Sequence, residues 1–267
     1  MIVQLDIGKL SAIMIVKAIK TRKFLPPKDD LWKLLSENIK FLKENSIVAV
    51  TSKVVAIAEG RCIAKDKVVD KDQLIISEAD KYIPRHKSYQ QLVIQTIKNN
   101  MIIASAGIDE SNGAGYFILW PKNPAKSAKK IWQFLREKYQ VKNLGVILTD
   151  SRLIPLRRGV VGISIGYFGF NPLRDYRKTK DIFGREFKME LSNLPDSLAS
   201  AAVLEMGEGI EQQPFAIIED IPNLDFIDRE WIPSSKDDSF DIVPKEDMFY
   251  TLIKSVKWKK GGGGKNQ

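Results

Sequence analysis

The chain has 267 residues, 44% of them hydrophobic, and a formal net charge of +9. That is enough apolar material for a sizeable core, as one large domain or two small ones, and the positive balance fits either an anionic partner or a solvated, Lys-rich surface. A single cysteine, Cys62, excludes an intrachain disulfide and a cysteine-based zinc centre, and a single histidine, His86, excludes a multi-histidine site, so any metal must be held by oxygen, which favours Mg²⁺, Mn²⁺ or Ca²⁺.

No apolar run approaches the roughly 20 residues of a membrane span, so a soluble cytoplasmic protein without membrane contact is expected. Ile2-Val3-Gln4-Leu5 and Ile13-Met14-Ile15-Val16 predict short strands, followed by a basic turn with Lys17, Lys20, Arg22 and Lys23. Pro26-Pro27 stop regular structure, and Asp29-Asp30 stand where a helix N-terminus favours acids. Leu31, Leu34, Leu35, Ile39 and Leu42 recur at helical spacing, which predicts an amphipathic helix over about 29–43. The β-branched run 46–57 predicts one strand entering Ala58-Glu59-Gly60-Arg61. Residues 67–100 are polar and read as helical, broken at Pro84, with His86 as a surface residue.

Strands are predicted at 101–106 and 117–120, on either side of the loop Gly107-Ile108-Asp109-Glu110-Ser111-Asn112-Gly113. A helix follows over 124–139, with Ala128, Ile131, Trp132 and Leu135 on one face. The apolar run 144–148 predicts a buried strand ending at Thr149-Asp150-Ser151, and the Gly-rich run 160–170 predicts another. A strand at 187–191, a helix at 196–206, the turn Gly207-Glu208-Gly209 and a strand at 215–218 complete the regular part. Pro222, Pro233 and Pro244 mark an irregular extension, 221–260, containing a short helix at 246–256. Gly261 to Gln267 reads as a flexible tail. Strands and helices mix without βαβ alternation, so the fold class is α+β, with the main domain over 1–220.

The chemistry concentrates around Asp150. A carboxylate at the end of a buried strand is costly unless a cation or several donors hold it. Ser151 adds a hydroxyl, and Arg157 and Arg158 follow closely; oxygen ligands beside guanidinium groups suit a metal bound next to phosphate. Taken alone, the segment reads more readily as a turn-capping Asp with solvated arginines. Three further acid-bearing loops stand beside it: Ala58-Glu59-Gly60-Arg61, Ala106 to Asn112, and Met206-Gly207-Glu208-Gly209.

In their order and spacing, these loops resemble the coenzyme F420-0:L-glutamate ligase family, whose members add γ-linked glutamate to a deazaflavin coenzyme. The likeness covers about 45–220 and continues through Pro172-Leu173-Arg174-Asp175-Tyr176 and Lys180 to Glu186. The resemblance implies a two-lobed ligase fold and an intertwined homodimer. It implies a reaction in which a nucleoside triphosphate, GTP or ATP, phosphorylates an acceptor carboxylate. The amine of L-glutamate then displaces phosphate. Two divalent ions, Mg²⁺ or Mn²⁺, are implied, with K⁺ as an additional candidate. Carried over by position, Asp109, Asp150, Ser151 and Glu208 would hold metal. Ser52, Lys53, Asn112, Met206, Gly207, Glu208 and Gly209 would bind nucleotide. Asp150 and Arg157 are the candidates for catalysis, and Arg158, Arg174 and Arg185 for substrate contact. Two carboxylates about 4 Å apart repel by about 4 kcal/mol at an effective dielectric near 20. If Asp109 and Asp150 meet, positive charge must lie between them.

The chain departs from the family pattern in two loops and at Ile57, where the family has a lysine. Thr21-Arg22-Lys23-Phe24 replaces a Gly-Ile/Leu-Pro-Leu turn, and Ser151-Arg152-Leu153-Ile154-Pro155 replaces Thr-x-Gly-Arg-Pro. These changes leave two acceptors open, an F420-0-like deazaflavin or the pterin-like substrate of a folate-associated γ-glutamate ligase branch. A non-catalytic phospholigand-binding relative is a further alternative. A nucleic-acid partner is not expected, because no basic stripe interleaved with aromatics is present.

Overall fold

The computed structural model describes residues 13–230, 232 and 240–264. The strand expected at 2–5 lies outside them. In chain order the elements are β1 (Ile15–Ile19), α1 (Leu31–Asn38), β2 (Ser46–Thr51), α2 (Ser52–Ala58), β3 (Cys62–Ala64), α3 (Lys71–Glu78), β4 (Lys81–Ile83), β5 (Gln95–Lys98), β6 (Met101–Ala104) and β7 (Tyr116–Ile118). There follow α4 (Pro124–Tyr139), β8 (Leu144–Leu153), β9 (Val160–Phe168), β10 (Leu173–Asp175), β11 (Leu191–Asn193), α5 (Leu194–Met206), β12 (Phe215–Glu219), α6 (Tyr250–Ser255) and β13 (Lys259–Lys260).

A five-stranded sheet, ordered β1-β12-β2-β8-β9, forms the centre. Only β2 and β8 are parallel, with Val48 beside Val146 and Thr51 beside Thr149. Alternate residues on these strands point to opposite faces. Val48, Val50, Val146 and Leu148 enter one core with Leu34 and Leu35 of α1 and Ile131 and Leu135 of α4. Ile47, Ala49 and Ile147 enter the other with Leu198, Ala199 and Ala202 of α5. A smaller four-stranded antiparallel sheet, β13-β4-β5-β6, carries a separate core with α3 around Leu74, Ile75, Ile94 and Leu119. The mixture of sheets and helices is the α+β architecture expected.

Several boundaries differ from the sequence reading, each for a local reason. The run 46–57 is not one strand, because the chain turns helical at Ser52. Val54, Val55, Ala56 and Ile57 are all buried in that short helix, so its enclosure overrides their β propensity and erases any amphipathic period. The polar stretch 67–100 is helical mainly over α3, and its remainder includes β4 and β5. The first helix stops at Asn38, yet Ile39 and Leu42 stay buried and so mimic a longer one. The strand expected at 187–191 begins at Leu191, and the last helix is confined to Tyr250–Ser255. Gly261 to Gly264, read as the start of a flexible tail, donate their N–H groups to the carbonyls of Asp80, Ile76, Ala79 and Ser77, each at 2.9 Å. Among the described residues no helix is long and apolar enough to cross a membrane.

Candidate active site

A cavity of about 850 Å³ opens where β2 and β8 reach their C-terminal ends. Its walls come from the 21–26 segment, the start of α2, the 107–114 loop, β8 from Thr149 to Leu153, and the 206–214 loop. Asp109, Asp150, Ser151 and Glu208 all line it, as do Ser52, Lys53, Asn112, Met206, Gly207 and Gly209. Thus residues far apart in sequence share one concavity.

Asp150 does not end its strand. β8 continues to Leu153, with Asp150 opposite Ile163, after a register shift between Leu148 and Thr149. Such an irregularity re-aims side chains locally. The Asp150 Oδ1 accepts from the Ser151 N–H at 2.8 Å, and Oδ2 accepts from the Trp120 indole N–H. Burial pushes the Asp150 carboxyl up to about 6, with the Asp109 charge adding to the rise and Lys53 and both donors opposing it.

Asp109 is set by its loop. Its Oδ1 accepts from the Ser111 N–H at 2.7 Å and from the Ser111 hydroxyl at 2.8 Å, closing an Asx turn. Its Oδ2 lies 2.5 Å from the Lys53 Nζ. Burial favours the neutral acid there, but the Lys53 ammonium and the Ser111 donors outweigh it and hold Asp109 below the usual carboxylate range. Lys53 therefore supplies the positive charge that two neighbouring carboxylates demand.

The third acid arrives from the end of α5. Glu208 Oε1 accepts from the Ser151 hydroxyl at 2.5 Å. Asn112 ties the two loops together, donating from Nδ2 to the Gly209 carbonyl at 3.0 Å. Gly207 adopts φ +78° and passes so close to Glu211 that a Cβ would fall 2.5 Å from its carboxyl carbon. Glu211 in turn accepts from the Gly209 N–H at 2.8 Å. This glycine turn already cradles an anion, the carboxylate of its own neighbour.

The donor set is all oxygen, which suits a hard divalent ion. The Ser151 hydroxyl joins Glu208, and the Asp109 charge is felt at Asp150. Among the described residues no three His, Cys, Asp or Glu side chains are drawn close enough to grip an ion. The Lys53 ammonium already occupies Asp109 Oδ2, where a metal would compete with it.

The four arginines singled out in the sequence are not brought into the cavity lining. Arg157 is exposed in the β8–β9 turn, where its N–H donates to the Ile154 carbonyl at 3.2 Å, and Arg158 is exposed beside it. Arg174 donates to the carbonyls of Pro222 and Asn223, the latter at 3.0 Å. Arg185 is exposed in a turn closed by Asp181, whose Oδ1 accepts its N–H at 2.9 Å. The cations that do line the cavity are Arg22, Lys23, Lys53 and Arg152. Arg22 is held by a bidentate pair with Asp29, at 2.6 and 2.9 Å. Glu59 serves structure, accepting from the Ser127 hydroxyl at 2.5 Å near the start of α4. Sequence reasoning did not single out Arg152 or Trp120 as site residues; adjacency to Ser151 was a signal for the first, and none existed for the second.

The model of the F420-0:gamma-glutamyl ligase family matches residues 19–220, which contain every wall of this cavity. The chain belongs to the F420-0:gamma-glutamyl ligase family. Among its relatives is the coenzyme F420:L-glutamate ligase of Methanopyrus kandleri, 35% identical over 219 residues, 76% of this chain and 85% of the relative. The corresponding ligase of Methanocaldococcus jannaschii is 35% identical over 193 residues, 66% of this chain and 76% of its own. That of Methanosarcina acetivorans is 30% identical over 254 residues, 89% and 96% of the two chains. This last likeness extends family similarity beyond the 19–220 domain.

Proposed function

We propose that this chain is a γ-glutamyl ligase that forms an amide between L-glutamate and an acceptor carboxylate. The acceptor is F420-0-like, the carboxylate is activated by a nucleoside triphosphate, and the work is done in the Asp109–Asp150–Glu208 cavity. The observation that carries this reading is the convergence of four acids, Asp109, Asp150, Glu208 and Glu211, with four cations and a glycine turn on one cavity, in a chain that belongs to this family.

Phosphoryl transfer asks for positioning and charge neutralisation rather than covalent help. Asp109, Asp150, Ser151 and Glu208 are the residues that would hold divalent ions, Mg²⁺ or Mn²⁺, which when bound neutralise phosphate oxygens. Phosphate entering the Gly207–Gly209 turn would replace the Glu211 carboxylate and take the Gly209 N–H it now holds. Arg22, Lys23 and Arg152 offer guanidinium and ammonium groups to the remaining oxygens. Asn112, by fastening the 107–113 loop to the 206–213 loop, keeps the Asp109 and Glu208 sides of the cavity in register. The acceptor carboxylate attacks the terminal phosphorus and releases the nucleoside diphosphate. The glutamate amine then attacks the acyl carbon and releases phosphate. The exposed Ile182 and Phe183, on the 176–190 arm, fit a homodimer in which a second copy covers them.

The test is mass spectrometry of deazaflavin and pterin acceptors after incubation with L-glutamate, Mn²⁺ or Mg²⁺, and GTP or ATP. Addition of one glutamate to the deazaflavin supports the reading, and addition to the pterin alone moves the chain to the folate branch. Triphosphate-independent addition, or none to either acceptor, overturns it.

A further inference from the structure

Trp120 is almost fully buried, 1% exposed, at the end of β7, and its indole N–H reaches the Asp150 carboxylate. One contact holds the Trp120 backbone and two bear on its ring. The Trp120 carbonyl accepts from the Arg61 Nε at 3.1 Å. The Lys98 ammonium sits 5.8 Å from the ring centroid. At Gly107 the backbone comes so near the indole that a Cβ would fall 2.2 Å from its nitrogen.

Arg61 and Lys98 are themselves held by one buried acid. Glu78, 1% exposed, accepts from the Arg61 Nη2 at 3.0 Å and from the Lys98 Nζ at 2.5 Å. This ion triad lies outside the cavity lining, and its contacts lead to Trp120 and end at Asp150.

We propose that Trp120 is a positioning residue for Asp150, a rigid donor braced by the Arg61–Glu78–Lys98 triad that locks the carboxylate in the orientation needed to hold a cation. An indole N–H only donates, so it cannot reverse its role as a hydroxyl or amide can. Each Asp150 oxygen takes one protein donor, Trp120 on Oδ2 and the Ser151 N–H on Oδ1. Each oxygen keeps a second lone pair for a ligand in the cavity. Partners that orient a metal-binding side chain in this way change metal affinity about 10- to 100-fold when removed. The inference rests on the ligase reading insofar as the cation is the one that reading requires.

The experiment uses the full chain and two variants, Trp120→Phe, which keeps a ring but removes the donor, and Asp150→Asn. Mn²⁺ binding is measured by electron paramagnetic resonance without nucleotide or substrate. The expected result is a Kd for Mn²⁺ raised about tenfold or more in Trp120→Phe. In parallel, ¹⁵N–¹H spectra resolve the indole signals of the five tryptophans. The signal missing in Trp120→Phe should lie downfield in the wild type, move on Mg²⁺ addition, and shift upfield in Asp150→Asn. Trp120→Phe binding Mn²⁺ within twofold of wild type, or an indole signal indifferent to Asp150→Asn, overturns this inference alone. A wild-type chain that binds no Mn²⁺ overturns the metal-dependent ligase reading and this inference with it.

Discussion

Asp150→Asn should make the metal-free protein more stable at alkaline pH while abolishing ligation. The Asp150 carboxyl is raised from 3.8 to about 6, chiefly by burial. At about 1.4 kcal/mol per unit, the ionised folded form carries a penalty of roughly 3 kcal/mol. Between about pH 4 and 6 the folded state binds more protons than the unfolded chain, so stability falls as pH rises through that window. Above it the full penalty is present. Asparagine removes the charge but offers one acceptor where Asp150 uses two, for Trp120 and for the Ser151 N–H. Leaving one buried donor poorly paired costs about 1–3 kcal/mol. That cost is independent of pH, whereas the relief is not. The difference in unfolding free energy between variant and wild type should therefore swing by about 2–3 kcal/mol in favour of the variant from pH 4 to pH 8. The assay is urea unfolding in chelator at both pH values, repeated with Mn²⁺. Mn²⁺ should raise the wild-type midpoint and leave that of Asp150→Asn nearly unchanged. A difference between the two proteins that is the same at pH 4 and pH 8 would refute the buried-carboxylate reasoning.

Lys53→Met removes the ammonium that holds Asp109 below the usual carboxylate range; glutamate incorporation should fall about 100-fold or more, within the span of a lost electrostatic contact at a phosphoryl-transfer site, and an unchanged rate would remove Lys53 from the site. Glu208→Gln preserves an acceptor for the Ser151 hydroxyl, so its melting temperature should stay within a few degrees of wild type while the Mn²⁺ concentration for half-maximal turnover rises by about tenfold. Glu78→Ala leaves Arg61 and Lys98 without their buried partner, and denaturant unfolding should show a loss of about 3–5 kcal/mol; a neutral result would mean the triad is hydrated.

The acid-bearing loops around the cavity were legible because they are short and their order and spacing survive in one dimension. Asp109, Asp150 and Glu208 were read that way, and all three line one cavity. The central strands were readable from the apolar runs 46–51 and 144–148, and both lie in the five-stranded sheet. What stayed hidden depends on partners distant in sequence. Ser52–Ala58 carries a strand-like composition because it is enclosed by residues such as Ile118, and no local pattern announces that. Proximity along the chain drew attention to Arg157 and Arg158, but the extension of β8 to Leu153 carries both to an exposed turn and leaves Arg152 in the lining. Trp120 read only as the end of a predicted strand; the fold buries it and places its N–H on Asp150 across 30 residues.

The most direct measurement is anomalous diffraction from crystals grown with Mn²⁺ and a non-hydrolysable triphosphate. The expected map has a manganese peak at the Asp109 and Asp150 carboxylates, with Lys53 displaced from Asp109 and phosphate oxygens in the Gly207–Gly209 turn. A map in which the triphosphate is bound but manganese is absent from these acids, with Lys53 still on Asp109, would contradict the assignment of this cavity as the ligase centre.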